Sequence, residues 1–290
     1  MDTAETSTTA GTIQLRFVER RSGLRTDVNL VGWLERAESG RTCNNDFWQV
    51  GFRPFWTSAR AGCFDPATGT GAALLIHGDE LEKLVAGRWD AVLQLNLRAD
   101  PAGPVLATYT FTFDLTITDH NNAAIYFPLF DQVTPHVGLN IDYNPIHSPP
   151  SIGGSAGLDM CLYDGLGSQS PYLEVNIRDD GAPAPGRPAG MYSVWRKGGS
   201  GDEGERLDYD ITLDYGGAML PMLNVRTERL PGIDTAQLRL VVLPGMTQPV
   251  YCVPTPLTLR TPRVPASSKA QGYYEGKLRI EMNMPTSSPR

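Results

Sequence analysis

Several strings in this 290-residue sequence have the residue types and spacing of known chemistry. Gly153-Gly-Ser-Ala-Gly157 matches the G-x-S-x-G of a nucleophile elbow, which works only between a strand and a helix on a parallel sheet. Here it follows Pro149-Pro150, and a flexible connection explains it better. Gly199, Gly201 and Gly204 satisfy the dinucleotide pattern G-x-G-x-x-G. Their neighbours Asp202, Glu203 and Glu205 would repel a pyrophosphate, so the string reads as a surface loop. His77, His120, His136 and His147 are scattered, with no i, i+4 pair and no carboxylate cluster of metal-site spacing. Asp208, Asp210 and Asp214 could suggest calcium, but they alternate with Leu207, Tyr209, Ile211 and Leu213, the pattern of a solvated sheet face. Glu174 and Glu281 are the strand glutamates worth testing as a glycosidase pair, and both alternate outward with polar neighbours. None of these constellations is catalytic, and none implies a metal or a cofactor.

The elements that carry these residues are strands. Gly and Pro contribute 30 and 23 residues, only 20% of residues are charged, and Thr, Val, Ile and Tyr recur in short runs. That mixture predicts an all-β protein of short strands and turns. From Thr108 to Thr118, Tyr109, Phe111, Phe113, Leu115 and Ile117 alternate with polar residues, marking a strand with one buried face. Shorter runs predict strands at Thr12–Val18, Phe47–Phe52, Ala91–Leu97 and Ile125–Phe130, with a helical turn at Gly78–Val85 capped by Asp79. Alternation returns at Leu173–Ile177, Leu207–Leu213 and Leu238–Val242, and in one long strand from Gly272 to Met284.

A net charge of −7 argues against nucleic-acid binding, and the cluster Arg16, Arg20, Arg21 and Arg25 reads as a solvated strand edge and turn. There is no apolar run of the ~20 residues that a membrane helix needs. The first ten residues lack the basic start and apolar core of a signal peptide, so the expectation is an exported form shown without its signal, or a start further upstream.

The pattern breaks at Asn144–Gly157, where prolines are followed by glycines. The reading is a first domain at 1–147, a linker at 148–157 and a second domain at 158–290, each large enough for its own core. Four cysteines allow three pairings, and only Cys43–Cys63 with Cys161–Cys252 keeps each bond within one domain. Disulfides imply an oxidising compartment; the spacings match no common zinc pattern.

Leu158-Asp-Met-Cys-Leu-Tyr-Asp-Gly165, Gln248–Leu257 and the strand up to Met284 resemble the C-terminal pilin domain of tip adhesins and assembly initiators of class 5 fimbriae, the colonization-factor-antigen and cable pilus type. Ile13–Ser22, the Gly78–Leu84 turn and Gly87–Leu97 are similar to the adhesin domain of that family, and both cysteine pairs match. The resemblance implies two tandem immunoglobulin-like β-sandwich domains, the C-terminal one an incomplete pilin fold completed by a donor strand. Leu158, Met160, Leu162, Tyr274, Leu278, Ile280, Met282 and Met284 would line the groove for that strand. It implies a minor pilin at the fimbrial tip, extracellular after export through the periplasm, that starts assembly and adheres to host cells. The implied partners are a periplasmic chaperone, an outer-membrane usher, the major pilin as strand donor, and a host glycan or protein receptor.

Two departures accompany the likeness. Family adhesins carry a further stretch, with its own cysteines, ahead of the segment where this sequence starts. The basic receptor-binding run of the family reads Arg98-Ala99-Asp100 here, leaving Arg98 as its one positive charge. The competing reading of the residues is a free secreted carbohydrate-binding module or a sandwich-fold carbohydrate-active enzyme.

Overall fold

The computed structural model describes residues 11–38, 67–98, 103–119, 123–130, 134–181, 184–246 and 248–285. The chain divides into two compact units, Met1–Ile117 and Thr118–Arg290. Among the described residues, apart from one α-helical turn and two short 3₁₀ turns, the regular structure is β-strand.

The first unit contains β1 (Gly11–Glu19), β2 (Arg25–Glu38), β3 (Ala67–Ile76), the turn α1 (Gly78–Leu81), β4 (Gly87–Arg98) and β5 (Val105–Ile117). Its described strands form one antiparallel sheet in the order β3-β2-β1-β4-β5. One face carries Phe17, Leu30 and Trp89, all fully buried, with Phe113 edge-on to Phe17 at 5.7 Å. The Trp89 indole donates to the Val85 carbonyl at 2.8 Å, so its one polar atom is satisfied in the core. On the other face two arginines of the basic cluster are ion-paired: Arg16 with Asp27, and Arg20 with Asp90 and Asp114. The helical turn is shorter than predicted, and His77 occupies the N-cap position without a side-chain bond; Asp79 lies inside the turn. The predicted strand Phe47–Phe52 and the predicted bond Cys43–Cys63 fall outside the described residues.

The second unit begins with β6 (Ala124–Tyr126), β7 (Asp142–Asn144), β8 (Ser151–Leu158), β9 (Cys161–Tyr163) and β10 (Tyr172–Asp179). It continues with β11 (Tyr192–Arg196), β12 (Arg206–Tyr215), β13 (Ala218–Met222), β14 (Thr227–Pro231) and β15 (Arg239–Val241). The last strands are β16 (Val250–Pro254), β17 (Leu257–Pro265), β18 (Tyr274–Glu275) and β19 (Leu278–Asn283). Among the described residues they form three sheets, β14-β10-β19, β18-β11-β12-β17-β8-β7 with β13 also paired to β12, and β15-β16-β9-β6, around a core that includes Leu162, Leu173, Ile177, Ile211 and Leu257. Cys161 and Cys252 are fully buried and bonded, tying β9 to β16 with Cα atoms 5.8 Å apart. Asp164, also fully buried, accepts from the Leu166, Ser168 and Ser170 amides and the Ser170 hydroxyl, so both its oxygens are satisfied by the loop that follows it.

The boundary differs from the Pro/Gly break read as a linker. Ser151–Leu158 is a strand hydrogen-bonded on both sides, by β17 and β7. Gly153 and Gly154 serve close approach rather than flexibility: a Cβ on Gly154 would meet the carbonyls of Leu139 and Asn140, the latter at 2.7 Å. The residues from 118 to 147, assigned by sequence to the first domain, belong to the second unit. The long final strand is likewise two strands on different ladders. Gly276 lies between them, where a Cβ would come within 3.1 Å of the Ser193 carbonyl.

Candidate functional site

The most informative geometry lies at β19. In the β14-β10-β19 ladder, β10 is central, and its inward residues Leu173, Val175 and Ile177 are fully buried. β19 runs antiparallel to β10, placing Met282 opposite Val175 and Ile280 opposite Ile177. Residues opposite one another in a ladder share a face. Yet Leu278, Ile280, Met282 and Met284 are all only half-buried against the core. Among the described residues β19 pairs with β10 alone, so its far edge carries open backbone groups beside a half-covered apolar row.

A second edge strand rests on the same core. β6 pairs only with β9 among the described residues, and Ile125, Phe127 and Phe130 pack on the core. The alternation of Ile125–Phe130 is legible in the sequence, but assignment to the first domain hides this role. Of the eight residues expected to line a groove, four (Leu278, Ile280, Met282 and Met284) lie on this open face. Leu158, Met160 and Leu162 do not: they are 4%, 0% and 0% exposed, inside strands or turns already covered on both sides. Tyr274 does not either. It sits on β18 beside β11, and its hydroxyl donates toward the Ala270 and Gly204 carbonyls.

The outward face of the ladder is charged. Arg178 lies directly opposite Arg279, Asn176 opposite Glu281 and Glu174 opposite Asn283. Arg178 is drawn to Glu281 at 2.8 Å, and Glu174 faces Arg229 of β14, whose guanidinium stacks on Tyr172. The two glutamates considered as a hydrolase pair are thus partners of arginines on a solvent face.

The other tempting strings have structural work. Glu205 accepts from the amides of Ser200 and Gly201, and from Arg196. The Gly199–Gly204 loop therefore wraps a carboxylate of its own chain. That carboxyl is held at about 2, chiefly by Arg196 and then by Ser200. Asp208 accepts from Arg206 and Ser193, Asp210 from Arg260 and Asp214 from the Gly217 amide. His77, His136 and His147 are exposed on separate segments, and His120 lies outside the described residues.

Arg98 ends β4 opposite Val105 and is exposed. Its Nη1 donates to the Gly103 carbonyl at 2.5 Å, which folds the side chain back over its own hairpin. Val105 and Leu106 beside it are 44% and 61% exposed. Ala99 and Asp100 lie outside the described residues.

The family model for the first domain of CfaE, a CFA/I fimbrial protein, matches residues 2–120, and that for its second domain matches 123–286. The chain belongs to the CfaE family. The boundary between the two family models falls within a few residues of the division between the compact units. The chain is 27% identical over 275 residues to the CFA/I fimbrial protein CfaE of Escherichia coli, covering 92% of this chain and 70% of that protein. Among solved structures it is similar to CfaE, the adhesive subunit of CFA/I fimbria of enterotoxigenic Escherichia coli, at 25% identity and a TM-score of 0.74. That match covers 99% of this chain and 77% of the other. It is also similar, at 25% identity and a TM-score of 0.67, to a chain in a chaperone–tip adhesin complex of CFA/I fimbriae biogenesis; 98% of this chain and 78% of that one are covered. Both domains of the family are thus represented, in tandem and in order.

Proposed function

We propose that this protein is the adhesive minor pilin at the tip of a class 5 fimbria, and that its second domain captures a donor strand from the major pilin. The observation that carries the reading is the unequal burial of β10 and β19. Their opposed inward residues share a face, but only those on the edge strand remain half-exposed. An added strand would use the open backbone of β19 and cover Ile280 and Met282, which is how sheet edges recognise extended peptides. Before capture, the same edge is an aggregation liability, so a periplasmic chaperone would shield it until the pilin reaches the outer-membrane usher. Membership in the family and the chaperone complex of a relative support this order of events.

The first domain would carry adhesion to a host glycan or protein receptor. Arg98 is the candidate contact: a guanidinium has five donors, and one is spent on Gly103, so a carboxylate such as that of a sialic acid can still be bound. The experiment is to add a synthetic peptide of alternating apolar residues, patterned on a major pilin's N-terminal extension, to the purified chain. Thermal midpoint and monodispersity should both rise. A chain that is monodisperse alone and unchanged by the peptide would overturn the reading.

A further inference from the structure

Alternating apolar side chains define an incoming strand only in steps of two. A one-residue slip turns the apolar face outward and is rejected, but a two-residue slip restores it. Something else must therefore break the degeneracy along β19, and the outward face offers it.

Along that face β19 presents Arg279, Glu281 and Asn283 in succession, one at every second position. Arg279 is exposed and faces Arg178 across the ladder, a like-charged pair that disfavours the sheet. Arg178 is relieved by its bond to Glu281. Arg279 makes no ion pair among the described residues, and the one strand beside it contributes positive charge. Lys277, one step further, is exposed too, but exposed Asp180 lies close, its amide donating to the Lys277 carbonyl. The uncompensated charge therefore centres on Arg279, while Glu281 already shares its charge with Arg178.

We propose that Arg279 and Glu281 select the donor strand and fix its register by charge. The inference rests on the strand-capture reading above. The donor is an extended segment with one alternating apolar face, a carboxylate at the outward position opposite Arg279 and none at the position opposite Glu281. In that register the carboxylate completes the row Arg178–Arg279 with a negative charge. Slipped by two residues in one direction, it lies beside Glu281 and the row is left positive. Cross-strand pairs of this kind contribute about 0.2–1 kcal/mol, or up to roughly fivefold in affinity. That is small beside the apolar burial that drives capture, but apolar burial is nearly the same in both registers for a donor whose apolar row is longer than the row Leu278–Met284.

The test uses the full chain and synthetic peptides that share one apolar face. Each outward position is replaced in turn by Asp and by Lys, and dissociation constants are measured in low and high salt. One position should favour Asp over Lys by up to about fivefold, and the position two residues along should favour Lys. Both preferences should shrink in high salt. Arg279→Glu, an exposed change, should reverse the first preference and leave the second. If the peptides bind but no position distinguishes Asp from Lys, the charge inference fails and strand capture stands. If no peptide binds, strand capture fails and this inference with it.

Discussion

Ile177 and Ile280 are the same residue type, directly opposite one another on neighbouring strands, yet Ile177 is fully buried and Ile280 is half-exposed. Truncation should therefore separate them. Ile177→Ala removes side-chain volume from a closed core and is expected to cost about 2–5 kcal/mol in the free chain. Ile280→Ala should cost about half as much or less, because part of its surface is still in water. With a donor peptide bound, the cost at Ile280 should rise toward that at Ile177. Chemical denaturation of both variants, with and without peptide, measures this; equal costs in the free chain would mean that β19 is already covered.

Arg98 separates two roles in one residue. If its contact with the Gly103 carbonyl only closes the hairpin, Arg98→Lys and Arg98→Ala should lower the stability of the first domain slightly and leave cell binding unchanged. If it contacts a receptor, Arg98→Ala should reduce adhesion severalfold with an unchanged thermal midpoint, and Lys should rescue poorly because it lacks the planar fork. The second outcome is expected. Adhesion of purified protein to receptor-bearing cells, alongside a melting curve, distinguishes them.

The parts of the fold that are legible in the sequence are those with a clean two-residue period. Tyr109–Ile117 lies in β5, Leu173–Ile177 in β10 and Leu207–Leu213 in β12, because successive residues on each strand alternate in exposure: half-buried against exposed on β5, buried against half-buried on β10 and β12. The differences fall where one residue type has two physical uses. Gly153 and Gly154 look flexible in sequence, whereas they sit in a strand where a Cβ would meet Arg263 at Gly153 and the backbone of Leu139 and Asn140 at Gly154. Gly276 divides a run whose alternation is unbroken, and no local pattern tells a strand from one that changes sheets. The buried positions Leu158, Met160 and Leu162 and the half-open positions Leu278 to Met284 look alike in sequence. Only the ladder order distinguishes a covered strand from an edge.

Glu80 gives the first domain a dependence on acid. Asn29 of β2 lies one residue beyond the last partner on β3, and its amide donates to Glu80 Oε2 at 2.7 Å in place of a strand carbonyl. With Lys83 at 2.7 Å as the second cause, the carboxyl is held from its ordinary 4.5 down to about 2. A depressed carboxylate stabilises the fold fully above its unfolded value and loses that contribution as pH falls from about 4.5 to about 2. Glu80→Gln should therefore lower stability at neutral pH and flatten the acid limb over that window. Denaturant midpoints measured from pH 7 to pH 2 would show it, and parallel curves for the two proteins would refute it.

Val225 is the clearest site of stored backbone strain. It has φ +69°, a left-handed conformation that a β-branched side chain strongly resists, and it is 68% exposed, so packing gives nothing back. Two contacts hold it there: its amide donates to the Ile177 carbonyl at 3.0 Å, and its carbonyl accepts from the Asn176 side chain at 3.1 Å. Asn tolerates this conformation, and the backbone bonds do not depend on the side chain. Val225→Asn is thus expected to stabilise the second domain by up to about 1 kcal/mol, and Val225→Gly by less, because glycine also gains freedom in the unfolded chain. Asn176→Ala should act in the opposite direction by releasing one of the two restraints. Thermal and denaturant melts of the three variants give the order. A loss of stability in Val225→Asn would mean that the valine side chain contributes more to the fold than its backbone costs.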